Sequence, residues 1–245
     1  MVYTLTAAPC IDYRLDLGGK PIRIGGVNRP VGFAKWLGGK GITVGGMLNN
    51  LGVKNIPIVA VGGEVGEQIK RMVQTEYSDT VFVETETESR INVVVLGDMD
   101  TRFDPAAPKI TPAGLEHIFA YLKASLKPGD VLVLSGSLGQ ESPDLYARIM
   151  HDVANPAGAV TIIDTVDTAL LDALPEHPLF IKPNDEELGD LIGREMTNDA
   201  EIIAGGLELL EKGPKNDIVS MGGRGSFFFA QDRKVYFISA ARGYK

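Results

Sequence analysis

Apolar, β-branched runs of strand length recur along the chain with helical stretches between them, and this alternation limits the possible folds more than any other feature. "IPIVAVGG" (56–63) precedes "VGEQIKRMVQTEY", in which Val65, Ile69, Met72 and Val73 share one helical face. "VLVLSGS" (131–137) leads into "SPDLYARIMHDV", with Ser142 placed as an N-cap and Pro143 at the first helical position. "VTIIDT" (160–165) and "LFIKPN" (179–184) repeat the pattern. "NDEELGDLIG" then opens with acids, suited to the positive end of a helix, and closes on glycine. The runs are continuously apolar, so both faces of each strand are buried. That predicts an α/β fold, a mostly parallel sheet flanked by helices.

Two regions break the alternation. Residues 11–37 and 90–104 carry strand-like patterning and turns with no helix between, which predicts a small antiparallel sheet forming a lid. "SFFFAQDRKVYFISA" reads as a hairpin around Asp232 and Arg233. With 245 residues, 44% of them hydrophobic, the chain is long enough for one large domain spanning 1–245, the lid strands inserted in it. No stretch approaches 18 uninterrupted apolar residues and the N-terminus lacks a basic start before an apolar run, so a soluble, cytoplasmic protein is expected. A single cysteine, Cys10, allows neither a disulfide framework nor a thiolate metal cluster, and it reads as a small packing residue.

On parallel sheets, ligands sit beyond the carboxyl ends of the strands. Those ends read "VGG", "SGS", "DT", "KPN" and "SMGG", residues small and polar enough to line a nucleotide or sugar cleft. No Walker A pattern occurs, and Val44 stands where a dinucleotide fingerprint needs its third glycine. Ser135 stands where a nucleophile elbow around Ser137 needs glycine. His117, His151 and His177 lack metal-ligand spacing and read as surface or packing residues.

The net charge of −8 argues against nucleic acid or an anionic membrane as partner. Yet residues 1–60 hold Arg14, Lys20, Arg23, Arg29, Lys35, Lys40 and Lys54 against Asp12 and Asp16, a local charge of +5. A small anionic ligand and a solvated basic face explain this equally. Three further signals stand together. "GGKGITVGGMLNNLG" (38–52) crowds six glycines around a helix start, where exposed amides bind anions and sugar hydroxyls. "KPNDEE" sets Lys182, Asn184 and Glu187 at a strand end, either as a capped helix start or as support for a hydrated Mg²⁺ beside nucleotide phosphates. "VSMGGRGS" ends a strand in a glycine loop.

In their order, these segments resemble the PfkB family of ribokinase-like sugar kinases, in the branch of 1-phosphofructokinases and tagatose-6-phosphate kinases. The likeness runs from "VYTLTAAPCIDYRLDL" through "GGVNRPVGFAKWLGGKGITVGGMLNNLG", "SRINVVV", "VLSGSL", "IIDT" and "FIKPNDEELGDLIG" to "IVSMGGRGSFFF". The resemblance implies a ribokinase-like fold with a β lid, and ATP-dependent phosphorylation of a phosphorylated ketohexose with Mg²⁺. Fructose 1-phosphate is the foremost substrate; tagatose 6-phosphate and fructose 6-phosphate are the others. It implies that Asp12, Gly38 and Gly39 take sugar hydroxyls, with Thr43 facing the sugar. Lys40, Arg90 and Ser137 lie near the substrate or its phosphate. Arg29 reaches a substrate held by the neighbouring subunit of a lid-paired homodimer. Lys182, Asn184 and Glu187 serve the ATP phosphates, Asn184 and Glu187 also the metal, and Ser220, Gly222 and Gly225 border the nucleotide.

Some positions depart from the family pattern. Ala8 replaces an asparagine, Thr43 another, Arg102 an acid and Gly139 a proline. The family's glycine-rich turn, whose aspartate is the general base, is expected beyond Lys245. A chain lacking it would be incomplete and nearly inactive, since a general base contributes about 10²- to 10⁴-fold. A catalytically inactive protein that binds nucleotide or sugar phosphate is the alternative expectation.

Overall fold

The computed structural model describes residues 1–77 and 79–241. The terminal "RGYK", next to which the general base is expected, lies outside them. The chain divides into two compact units. One comprises Met1–Thr4, Phe119–Ser137 and the chain from Ser142 onward; the other comprises Leu5–Ile118 and Leu138–Glu141. In chain order the elements are β1 (Val2–Thr6), β2 (Cys10–Asp16), β3 (Gly32–Gly38), α1 (Lys40–Asn50), β4 (Asn55–Val61), α2 (Gly63–Glu76) and β5 (Val81–Glu84). There follow β6 (Arg90–Leu96), β7 (Thr101–Phe103), α3 (Pro112–Ser125), β8 (Val131–Ser135), α4 (Leu145–Ile149) and β9 (Val160–Asp164). The series ends with α5 (Asp167–Ala173), β10 (Phe180–Ile181), α6 (Asp185–Ile192), α7 (Asp199–Leu210), β11 (Asp217–Ser220), β12 (Ser226–Phe229) and β13 (Val235–Ile238).

In the first unit β8, β9, β10 and β11 run side by side and parallel, as the apolar runs predict. The β12–β13 hairpin continues the sheet antiparallel, with Arg233 in the left-handed region at its turn. Leu132, Leu134, Ile163, Ile181, Leu188, Ile202, Leu209, Val219 and Phe229 are all fully or almost fully buried, which is why these strands read as unbroken apolar runs. The helix expected from Ser142 begins later. Ser142, Pro143 and Asp144 make a turn, closed by the Leu145 amide on the Ser142 carbonyl (3.1 Å), and the first helical bond runs from Arg148 to Asp144 (2.9 Å). Proline there serves a turn instead of a helix start; both uses need the same φ.

In the second unit β4 and β5 are parallel, and α2 lays Ile69 and Val73 on Val59, Val61 and Ile11, with Val65 and Met72 at the margin. The predicted helical face is therefore the face that is buried. The small sheet has the order β3-β2-β6-β7 and covers the two regions predicted to form it. It is mixed, not wholly antiparallel: β2 and β6 pair in parallel from Cys10↔Arg90 to Asp16↔Leu96. A parallel pair needs a long crossover. Residues 17–89 supply it, so the absence of a helix inside each short region did not settle strand direction.

Candidate active site

The double glycine joins β3 to α1. Gly39 has φ +133, open to glycine at little cost, and its carbonyl accepts the Thr43 amide at 2.9 Å. A side chain at Gly41 would fall 2.5 Å from Thr6 Oγ1 and 2.6 Å from the Leu5 carbonyl. The helix thus lies directly against β1, and part of the glycine cluster answers to packing within the chain.

The face of the small sheet that carries Cys10, Asp12 and Arg14 places Asp12 beside Trp36 of β3 and Asn92 of β6. Asn92, 2% exposed, donates its amide to Asp12 Oδ1 at 2.9 Å and to Cys10 Sγ at 3.2 Å. The opposite amide orientation would set two oxygens against each other, so the carboxylate fixes it. Asp12 Oδ2 is the oxygen near Gly38: a side chain on that glycine would fall 3.2 Å from Oδ2 and 2.4 Å from Cys10 Sγ. One carboxylate oxygen is thereby held, and the other faces the double glycine.

Cys10 is 4% exposed, and burial, then the Asp12 carboxylate, push its thiol up to about 12. It stays protonated and points its hydrogen toward Asp12 Oδ1, 3.6 Å away. Cys10 is therefore expected to resist iodoacetamide at pH 8 in the folded protein and to react fully in urea. Mass spectrometry of the adduct checks this, and fast labelling of the native chain would contradict the buried placement.

Arg90 crosses the start of β6 with its guanidinium braced on the carbonyls of Pro105 (3.0 Å) and Ala8 (3.4 Å). Lys40 is exposed as the first residue of α1, and Thr43, also exposed, gives its hydroxyl to the Gly39 carbonyl (3.1 Å). Arg29 is exposed in the segment before β3. Arg102 lies on the Asp12 face, opposite Val94, and pairs with Asp104 at 3.2 Å.

In the first unit the carboxyl ends of β8, β9, β10 and β11 carry the other predicted residues. Ser137 is exposed just after β8. Lys182 Nζ lies 3.7 Å from Asp164 Oδ1 at the end of β9. Asn184 bridges to Ser220, whose amide binds the Pro183 carbonyl at 3.0 Å. Asn184 and Glu187 form a complete capping box: Asn184 Oδ1 accepts the Glu187 amide and Glu187 Oε2 accepts the Asn184 amide, both at 2.8 Å. The structural reading of "NDEE" is thus realised. It uses one carboxylate oxygen of Glu187. Gly222 opens the following loop at φ +55 with free space at its side-chain position, whereas a side chain at Gly225 would meet the Ile238 carbonyl at 2.3 Å.

Residues 5–243 match the pfkB family carbohydrate kinases. The chain belongs to this family. It is 34% identical to a 1-phosphofructokinase of Bacillus subtilis, over 99% of this chain and 79% of that protein. It is 31% identical to a D-tagatose-1-phosphate kinase of Bacillus licheniformis, over 80% of this chain and 64% of that one. The tetrameric inhibited form of phosphofructokinase-2 from Escherichia coli superposes with a TM-score of 0.86 at 25% identity, covering 97% of this chain and 79% of its own.

For this pfkB chain, sequence reasoning missed two positioning side chains. Asn92 lies inside "SRINVVV", and its signal is a polar residue in an otherwise apolar strand. Arg224, inside "GGRGS", ties the glycine loop to Asp185 at the start of α6 and to Asp199 at the start of α7 (3.4 Å). One of the acids expected at the helix start is thus engaged by a cation. Among the described residues no three metal-ligating side chains cluster, and no helix is long and apolar enough to cross a membrane. His151, paired with Glu176, and His177, bonded to the Gly213 carbonyl, are both exposed, the surface alternative of the expectation.

Proposed function

We propose that the chain binds a ketohexose phosphate, fructose 1-phosphate foremost, and transfers to it the terminal phosphoryl group of ATP. The observation that carries this reading is the Asp12 carboxylate, one oxygen held by Asn92 and the other facing Gly38. A fixed acceptor beside glycine backbone that carries no side chain suits vicinal sugar hydroxyls. Two relatives are named for ketohexoses phosphorylated at carbon 1, which supports that substrate class. Phosphoryl transfer rests on positioning and charge neutralisation more than on covalent chemistry.

Lys182, exposed at the strand end, is suited to the nucleotide's phosphates, and the open backbone at Gly222 to its passage past the loop. Asn184 and Glu187 fit a Mg²⁺ that keeps most of its waters: the capping box occupies Glu187 Oε2, and the second oxygen of that carboxylate is enough for an ion bound mainly by phosphate. When bound, Mg²⁺ neutralises charge developing on the phosphates. Ser220 and Gly225 border the loop. Arg90, its guanidinium braced on two carbonyls, and Lys40 supply positive charge for the sugar phosphate, with Ser137 as a hydroxyl ligand and Thr43 at the sugar's edge. The small sheet acts as the lid of a single functional domain. Two lids pair into a homodimer that brings Arg29 to the neighbouring substrate, a reading supported by Phe33 and Phe103, exposed on one face of that sheet.

The test is calorimetric titration with fructose 1-phosphate and with MgATP, followed by an assay of ATP consumption. Saturable binding of both with fructose 1,6-bisphosphate formed supports the reading. Binding of both without turnover would favour a sugar-phosphate-binding protein, and failure to bind either would refute the assignment.

A further inference from the structure

The Asp12 face of the small sheet carries a feature that the motifs do not account for. Arg14 follows Asp12 by two residues on the same strand and the same face. Its guanidinium carbon lies 4.1 Å from the ring centroid of Trp36, the cross-strand partner of Asp12. Trp36 is the only tryptophan of the chain and is 48% exposed; Arg14 is exposed as well.

The other cations of this face also hold protein contacts, and Arg14 adds to the charge that Arg90 is proposed to supply. Arg102 pairs with Asp104, and Arg90 is tied to two backbone carbonyls. Asp16, the next acid along the strand, accepts the Gly18 amide at 2.7 Å. Arg14 keeps its guanidinium over the indole ring. A guanidinium held over an aromatic face keeps N–H donors for other partners, and its planar fork matches a phosphate.

Spacing fits as well. Two residues along a strand span roughly 6.5 to 7 Å. A sugar whose hydroxyls reach Asp12 therefore places a phosphate, one methylene off its ring, within reach of Arg14. Ala34, directly opposite Arg14, is small and leaves room beside it.

We infer that Arg14, oriented by Trp36, is a phosphate-recognising residue of the sugar site and helps set its preference for phosphorylated ketohexoses. This rests on the function proposed above. A purely structural role for the Arg14–Trp36 stack would affect every ligand alike through the stability of the lid.

The experiment is a Trp36 fluorescence titration of the 245-residue chain with fructose 1-phosphate, with ATP binding measured by calorimetry as the control. In Arg14→Gln, affinity for fructose 1-phosphate should fall by about 10- to 100-fold, the loss of a charge-assisted pair of hydrogen bonds, with ATP affinity unchanged. Arg14→Lys should recover only part of it, because an ammonium cannot form the fork. Trp36→Phe, followed by calorimetry, should weaken sugar-phosphate binding less than Arg14→Gln. An unchanged sugar-phosphate affinity in Arg14→Gln, or an equal loss for ATP, overturns the inference while the proposed function stands. Absence of sugar-phosphate binding by the unaltered chain overturns both.

Discussion

Asp12→Ala is expected to lower affinity for fructose 1-phosphate by about 10²- to 10⁴-fold. A hydrogen bond to a charged group contributes roughly 1.5–3 kcal/mol, and a carboxylate facing vicinal hydroxyls makes two. The free carboxylate oxygen is the one beside Gly38, while Asn92 holds the other at 2.9 Å, so little ordering remains to be done when the sugar arrives. Asp12→Asn should be milder, since it keeps one acceptor oxygen and close to the same shape. The alanine variant also leaves the buried Asn92 amide with only the Cys10 sulfur, which should cost about 1–3 kcal/mol of stability. Calorimetry for binding and urea unfolding for stability separate the two effects. Unchanged sugar-phosphate affinity in the alanine variant would remove Asp12 from the site.

Why the strands were legible in the sequence, and the partners of the site residues were not, follows from the range of the forces involved. Ile69 and Val73 declare a helical face through local periodicity, and the structure buries that face. Asn184, Glu187 and Gly193 declare a helix from cap to cap within ten residues. The bond from Asn92 to Asp12 joins residues 80 apart, and nothing local to either marks it. The parallel pairing of β2 and β6 is hidden for the same reason. The glycine cluster at the start of α1 points to amides that bind anions and sugar hydroxyls, yet Gly41 stands against the backbone of β1, a neighbour distant in sequence. Ser142 and Pro143 misled because a turn and a helix start ask the same φ of proline.

Asp217→Val is expected to stabilise the protein, and to do so increasingly as pH rises above the ordinary carboxylate value. Asp217 begins β11 between Ile181 of β10 and Phe229 of β12, is 0% exposed, and has no hydrogen-bond partner for either oxygen among the described residues. Burial pushes its acid well above the ordinary carboxylate range. The nearby Ile218 amide, outside hydrogen-bonding geometry, and the Lys182 charge offset this only in part. In the unfolded chain the same group ionises near its usual value of about 3.9. Between that value and the raised folded one, the native state therefore binds the extra proton. Stability from this group is fully present below the unfolded pKa and is lost as pH rises, by up to about 1.4 kcal/mol per pH unit. Valine fits a strand between apolar neighbours and ends both the titration and the burial of an unpaired polar group, itself a cost of about 1–3 kcal/mol. Urea midpoints of the two proteins at pH 4.5 and pH 6 read the effect directly: the gap should widen with pH. A constant gap would mean that Asp217 does not titrate in this window, and a less stable variant would mean that the carboxyl group has found a partner.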